Sequence, residues 1–211
     1  MSKAVLVDTV KCIGCRGCQV ACKSWNELSG VTTDNRGSCE NPPQLSADTF
    51  TRIKFNELWY NNKFYWVFTK VQCMHCEYPG CAESCLVGAL QKTEEGPVVY
   101  DDTKCIGCRY CVVACPYGSR SFNWRDPRPH IKKVNPDFPT RMRGVVEKCT
   151  FCESRLAKGE KPACVDACKE GALVFGDLED PESEVRKALD GRFSIRRKPE
   201  LGTVPEVYYL V

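Results

Sequence analysis

The chain has 211 residues, 43% apolar and 27% charged, with a formal net charge of +3, a globular profile of one or two small domains. No stretch approaches the roughly 18–20 unbroken apolar residues of a membrane-spanning helix, so no transmembrane segment of its own is expected. Cysteine is the outlier at 17 residues, a load that points to a disulfide scaffold or to a metal protein.

Ala4–Asp8 offers only four apolar residues before a charge, with no twin arginine ahead of it. That is too short for an export signal and reads as a first strand. A disulfide scaffold, normally secreted and under about 100 residues, is thereby disfavoured against a chain made in a reducing cytoplasm. The first cysteine run follows at Cys12, Cys15, Cys18 and Cys22. Within an insertion over 26–69, Phe50–Trp59 and Lys63–Val71 flank Tyr60-Asn61-Asn62, which predicts a hairpin. Cys73, Cys76, Cys81 and Cys85 form the second run. A shorter hairpin is expected from Gln91–Thr93 and Val98–Tyr100 around Glu94-Glu95-Gly96-Pro97. The third run is Cys105, Cys108, Cys111 and Cys115. Residues 123–144 carry Pro127, Pro129, Pro136 and Pro139 among many basic residues and read as a long ordered loop. The fourth run, Cys149, Cys152, Cys164 and Cys168, encloses Phe151–Lys158, of helical composition and ended by Gly159. A surface helix is predicted over Pro181–Leu189, inside a C-terminal extension over 181–211. Short helices are expected to leave the fourth cysteine of several runs.

The runs repeat. Lys11 through Cys22 matches Lys104 through Cys115 at ten of twelve positions, and both Cys85 and Cys168 lead through two residues into Gly-Ala-Leu (Gly88-Ala89-Leu90 and Gly171-Ala172-Leu173). A unit of one strict run and one variant has been duplicated.

The first and third runs are C-x2-C-x2-C-x3-C, the spacing that holds bacterial-type 4Fe-4S clusters: three thiolates wrap one cluster and the fourth ligates the other cluster of a pair. Four quartets predict four 4Fe-4S clusters. Nineteen residues with one hairpin separate Cys85 from Cys105, the layout of a compact two-cluster ferredoxin, so the second and third runs are paired. One cluster is then expected on Cys73, Cys76, Cys81 and Cys115, and another on Cys105, Cys108, Cys111 and Cys85. The first and fourth runs pair across the chain, giving Cys12, Cys15, Cys18 and Cys168 for one cluster and Cys149, Cys152, Cys164 and Cys22 for its neighbour. The expected fold is α+β: two interlocked bacterial-type two-cluster ferredoxin modules with loop and hairpin insertions, one over 1–25 plus 145–180 and the other over 70–122.

Zinc is the rival for any C-x2-C pair, but the strict runs crowd too many thiolates for ordinary zinc spacing. Each oxidised cluster with its thiolates carries about −2, so four turn the formal charge of +3 into about −5. Lys11, Arg16, Lys23, Lys104, Arg109, Lys148 and Lys169, all beside cysteines, are read as partners of that negative charge, and nucleic acid is not expected as a partner. Cys39 is read as an unliganded thiol. His75, inside a full quartet, is expected to pack or hydrogen-bond near its cluster. His130 is read as solvated or interfacial, and Trp25, Trp59, Trp66 and Trp124 as packing groups. Arg128–Arg143 is read as a solvated basic loop, with docking onto a partner as the second reading. With no nucleophile–base constellation and no phosphate loop, no catalytic residues are assigned.

The four groups in this order, the wide Cys152–Cys164 gap, Asn41-Pro42-Pro43, Phe175-Gly176-Asp177-Leu178 and the closing Leu201–Leu210 segment together resemble a known family. It is the four-cluster electron-transfer (beta) subunit of complex iron–sulfur molybdoenzymes, such as formate dehydrogenases and dimethyl sulfoxide reductases, over nearly the whole chain. The resemblance implies an oxidoreductase-complex subunit relaying single electrons between a large molybdenum- or tungsten-pterin catalytic subunit and a membrane quinone-linked subunit, a cytochrome or a soluble carrier. It places the cluster of Cys12 nearest the catalytic partner and that of Cys105 at the far end. The alternatives are a free-standing polyferredoxin or the relay of a tungsten aldehyde-oxidoreductase-type enzyme. Two departures stand out: proline follows only Cys115 among the fourth cysteines, and the membrane-anchor helix of some formate dehydrogenase beta subunits is not expected here, so that any membrane attachment is expected through another chain. The expected location is the cytoplasm or a membrane reached through a partner, with co-export to the periplasm beside a signal-bearing catalytic subunit as the other route.

Overall fold

The computed structural model describes residues 2–34, 37–137 and 142–211. In chain order its elements are β1 (Lys3–Asp8), α1 (Gly17–Trp25), β2 (Arg52–Tyr60), β3 (Lys63–Val71), α2 (Gly80–Glu83), β4 (Leu90–Lys92), β5 (Val98–Tyr100), α3 (Tyr110–Ala114), β6 (Ser121–Phe122) and β7 (Val146–Glu147). There follow α4 (Glu153–Leu156), α5 (Ala163–Asp166), β8 (Leu173–Asp177), α6 (Glu184–Gly191), β9 (Ser194–Ile195) and β10 (Val207–Leu210). This is an α+β chain of short elements, with no helix among the described residues long and apolar enough to cross a membrane.

Ala4-Val5-Leu6-Val7 is apolar without alternation, the pattern of a strand covered on both faces. It forms the second strand of a four-stranded sheet ordered β8-β1-β10-β9. β1 runs antiparallel to β8, with Val5 opposite Phe175, and parallel to β10, with Val5 opposite Val207. Because strand side chains alternate, the two faces bury different partners. Val5, Val7, Leu173, Val207 and Tyr209 meet Met74 and Phe151 from the cysteine loops. Ala4, Leu6, Tyr208 and Leu210 meet Val185 of α6. The sheet is thus the floor on which the cysteine loops sit, with α6 beneath it.

The long hairpin forms as the aromatic and β-branched pattern predicts, with Tyr60 opposite Lys63. Its turn residues Asn61 and Asn62 have φ of 49° and 56°, the pair of left-handed conformations a two-residue type I′ turn requires. One face carries an aromatic ladder in which Phe55 contacts Phe68 and Trp66, and Trp59 contacts Phe64. The short hairpin forms as β4–β5.

The helices depart from expectation. They do not leave the fourth cysteine of a run; α1, α2, α3 and α5 each contain the third cysteine, and α2, α3 and α5 end before the fourth. The x3 spacing sets those two cysteines one helical turn apart, about 6 Å along the axis, so the helix occupies the interval itself. After Cys115 the chain must extend because Pro116 follows, and Cys115 has φ −83° and ψ 108°. The helix expected over Phe151–Lys158 shortens to α4, and Gly159 follows it at φ +73°. The helix expected from Pro181 starts later, where the Ser183 side chain accepts from the Arg186 N–H at 3.2 Å, an N-cap the serine is suited to. In the basic loop, Arg128–His130 is a 3-10 turn, and residues 138–141 lie outside the described residues.

Candidate metal centres

Three small cavities are lined by cysteine quartets. The first is lined by Cys85, Cys105, Cys108 and Cys111. Cys22, Cys149, Cys152 and Cys164 line the second, and Cys73, Cys76, Cys81 and Cys115 the third. Two wider grooves open to the surface without any cysteine in their lining. At the remaining run, Cys168 and Cys15 are the thiols that act most strongly on Cys12. Residue 17 of that loop lies against Ala167, next to Cys168. α1 packs on α5 and α2 on α3. Among the described residues no group of three or more His, Cys, Asp or Glu is gathered tightly enough for a single metal ion. The cysteines of three quartets are arranged around cavities, which suits a cluster of several irons.

Burial dominates the thiol electrostatics. It pushes Cys18, Cys76 and Cys149 up to about 12, and Cys111 and Cys152 up to about 11. Without iron these thiols are neutral at pH 7, whereas iron takes the thiolate, so filling the cavities must expel protons. Cluster loading is therefore expected to strengthen as pH rises and weaken as it falls, with proton release detectable in weakly buffered solution. Loading independent of pH between about 6 and 9 would contradict this picture.

Hydrogen bonds aim at several sulfurs, a lever on cluster potential. Arg120 Nη2 donates to Cys81 Sγ at 3.0 Å, the Phe151 N–H to Cys149 Sγ at 3.4 Å, and Asn26 Nδ2 to Cys22 Sγ at 3.5 Å. His75 is fully buried, and its Nδ1 accepts from the Val98 N–H at 3.1 Å. Burial, reinforced by Lys148 and Arg120, lowers its pKa well below the usual value, so the ring is neutral. It stacks on Phe151 at 3.5 Å, joining the second cysteine loop to the fourth.

The basic residues tied by sequence to the clusters divide. Lys148 is buried, but Lys11, Lys104, Arg109 and Lys169 are exposed. Lys104 pairs with Asp101 at 3.3 Å. Arg109 lies over Phe122 and Trp124, and Arg16 over Phe55. Lys23 donates to the carbonyls of Ser29 and Asp48. Two cations that the cysteine runs do not announce, Lys70 and Arg120, are buried among the thiols. Their only sequence signal is polarity at the end of an apolar strand for Lys70, and closeness to Cys115 for Arg120. Cys39 and His130 are exposed. Trp59 and Trp124 are also exposed, while Trp25 lies beneath Arg155 at 4.8 Å.

Only two cysteines of the four quartets are exposed, Cys15 and Cys108, at equivalent positions of the duplicated runs. Ile13 and Ile106 beside them are 58% and 65% exposed. Gly14 and Gly107 precede these cysteines, both at φ +69°, which lets the loop turn around its sulfurs without a side-chain penalty.

Two sequence families described as 4Fe-4S dicluster domains match the chain, over residues 64–133 and 104–172. Across 98% of its length the chain is 39% identical to the Hdr-like menaquinol oxidoreductase iron-sulfur subunit 1 of Archaeoglobus fulgidus, covering 82% of that protein. Over the same share it is 38% identical to a selenate reductase subunit of Mesobacillus selenatarsenatis, covering 70% of it. With the formate dehydrogenase-O iron-sulfur subunit of Escherichia coli it shares 38% identity over 83% of its length, but spans only 53% of that relative.

Proposed function

The chain belongs to the four-cluster iron–sulfur subunits of the complex iron–sulfur molybdoenzymes, and from this membership we propose how electrons cross it and what stands at each end. It is an electron-transfer subunit, and its cofactors are four 4Fe-4S clusters, each of which supplies one-electron redox chemistry. The proposed ligand sets are Cys12, Cys15, Cys18 and Cys168 for cluster 1, and Cys149, Cys152, Cys164 and Cys22 for cluster 2. Cluster 3 takes Cys73, Cys76, Cys81 and Cys115, and cluster 4 takes Cys105, Cys108, Cys111 and Cys85. The three quartet-lined cavities support this assignment. Two interlocked modules follow from it, 1–25 plus 145–180 and 70–122, with the pairing of β1 and β8 as support for the first.

The wire runs 1-2-3-4 in this reading. Its single best support is that the two quartet cysteines that are exposed, and not merely half-buried, lie at its two ends, at Cys15 and Cys108. Cys18 and Cys164 influence each other at the first gap. Cys149 and Cys73 do so at the second, and Cys111 and Cys81 at the third. Cluster 1 then meets a large molybdenum- or tungsten-pterin catalytic subunit. Cluster 4 meets a membrane quinone-linked subunit, a cytochrome or a soluble carrier, and any membrane attachment or export runs through such a partner. Gentle purification is expected to yield a one-to-one complex with a pterin-containing protein, with about sixteen irons and sixteen sulfides per copy of this chain. Recovery of the chain alone with its clusters filled would favour a free-standing polyferredoxin, and about four zincs would remove the relay altogether.

A further inference from the structure

Three basic side chains lie in the interior beside the thiols: Lys70, Lys148 and Arg120, with 0%, 1% and 4% of their surface exposed. Burial lowers the pKa of Lys148, whereas at Lys70 and Arg120 the neighbouring cysteines outweigh burial and raise it. A buried cation is costly unless negative charge faces it, yet the polar partners of these three are neutral groups or sulfur. Lys70 Nζ donates to Gln72 Oε1. Lys148 Nζ donates to the carbonyl of Val98 and, at 2.6 Å, to that of Cys149. Arg120 donates to Cys81 Sγ at 3.0 Å, while its Nε and Nη1 are buried without a partner. The Glu153 carboxylate answers part of the charge of Lys148, and the cysteines are the groups that act on all three cations.

Their placement is regular. Lys70 faces Cys18 of cluster 1 together with Cys164, Cys149 and Cys22 of cluster 2. Lys148 faces Cys149 of cluster 2 and Cys73 and Cys81 of cluster 3. Arg120 faces Cys81 and Cys73 of cluster 3 and Cys111 of cluster 4. One cation stands at each gap, and each comes from a different segment: Lys70 from the end of β3, Arg120 from the turn after Cys115, and Lys148 from the residue after β7.

We infer that Lys70, Lys148 and Arg120 are positioning residues for electron transfer, each raising the reduction potentials of the two clusters it separates so that an electron crosses the interior without meeting uncompensated negative charge. In each hop one cluster is oxidised by one electron as its neighbour is reduced by one, with no bond or proton changed. The arriving electron adds negative charge to a site already carrying it, and a fixed cation between two such sites offsets the repulsion in a low-dielectric interior. Arginine suits the gap where the cation also donates directly to a ligand sulfur, because it cannot lose its charge.

The inference rests on the ligand sets proposed above. Those sets are tested by which cluster a cysteine substitution removes, and the cations by potentials, so the two readings fail separately. The experiment is a redox titration followed by electron paramagnetic resonance on the whole complex, comparing the parent with Lys70→Met, Lys148→Met and Arg120→Met. Lys70→Met is expected to lower clusters 1 and 2, Lys148→Met clusters 2 and 3, and Arg120→Met clusters 3 and 4. Each affected cluster should become at least tenfold harder to reduce, about 59 mV for a one-electron couple, and Arg120→Lys should restore most of its pair. Equal shifts at all four clusters, or none, overturn the inference. A methionine variant that loses iron decides the same question: the missing signal must belong to the pair flanking that residue, and loss of a remote cluster instead counts against it.

Discussion

Replacing Cys115 by serine is expected to remove or convert cluster 3, the site of Cys73, Cys76 and Cys81, and to spare the cluster held by Cys115's own loop. α3 carries Cys111, and the chain leaves it extended at Cys115 because Pro116 follows, so the fourth sulfur is delivered away from the other three. The cavity it lines is shared with Cys73, Cys76 and Cys81, and the Ser119 N–H donates to its sulfur at 3.5 Å. A serine oxygen is a hard donor where iron–sulfur sites select soft thiolate, so loss of iron, or a changed resonance signal, should appear at that one site. In the proposed order cluster 3 is interior, so its loss would cut the wire: clusters 1 and 2 should still be reduced from the first end while cluster 4 is not. Cys85→Ser is the mirror experiment and should strike the cluster of Cys105, Cys108 and Cys111. Spectra in which each serine removes the cluster of its own loop would end the crossed assignment and, with it, the two interlocked modules.

The chemistry and the family were legible in the sequence because they rest on local spacing. A C-x2-C-x2-C-x3-C run is complete within twelve residues, and the duplication of Lys11–Cys22 at Lys104–Cys115 repeats the signal. Both hairpins were legible for the same reason: Asn61-Asn62 and the alternating aromatics state the turn and its strands locally. β10 was not. Val207–Leu210 is too short to distinguish itself, and it becomes a strand because β1, some two hundred residues earlier, offers a parallel edge between itself and β9. The helix positions were missed by a few residues because proline and the cysteine spacing, rather than helix propensity, set their ends. Lys70 and Arg120 were missed for a different reason. Neither belongs to a cysteine motif, and strand pairing and chain return bring them inside, whereas most basic residues within the motifs face water.

Gly107→Ala is expected to cost the chain cluster 4, and Gly14→Ala to do far less at cluster 1, although the two glycines occupy the same place in duplicated loops. Both have φ of +69°, where a side chain is strained, so the difference must come from what a Cβ would meet. At Gly107 it would lie 2.4 Å from the Gly144 carbonyl oxygen and 3.1 Å from the Phe122 ring. That carbonyl cannot step aside: the Gly144 N–H donates to Asn123 O at 2.9 Å, and the Asn123 N–H to Val145 O at 2.8 Å, so the obstacle is backbone held on both sides. At Gly14 the nearest atom is a ring carbon of Phe68 at 2.8 Å, and a ring at the edge of a partly exposed ladder can tilt. Overpacking against fixed backbone together with a left-handed alanine costs about 2–5 kcal/mol, enough to spread a loop whose sulfurs must all reach one cluster. Iron in the Gly107→Ala complex should fall from about sixteen to about twelve per chain, with the cluster 4 signal absent. Gly14→Ala should keep all four signals and lose its iron–sulfur absorbance at a lower temperature than the parent. Electrons supplied at cluster 1 would then reach cluster 3 in the Gly107 variant and stop, because the port beside Cys108 is the one that has closed. Equal iron contents in the two variants would show that the Gly144 carbonyl yields after all, and that the loop is set by its sulfurs and not by its backbone neighbours.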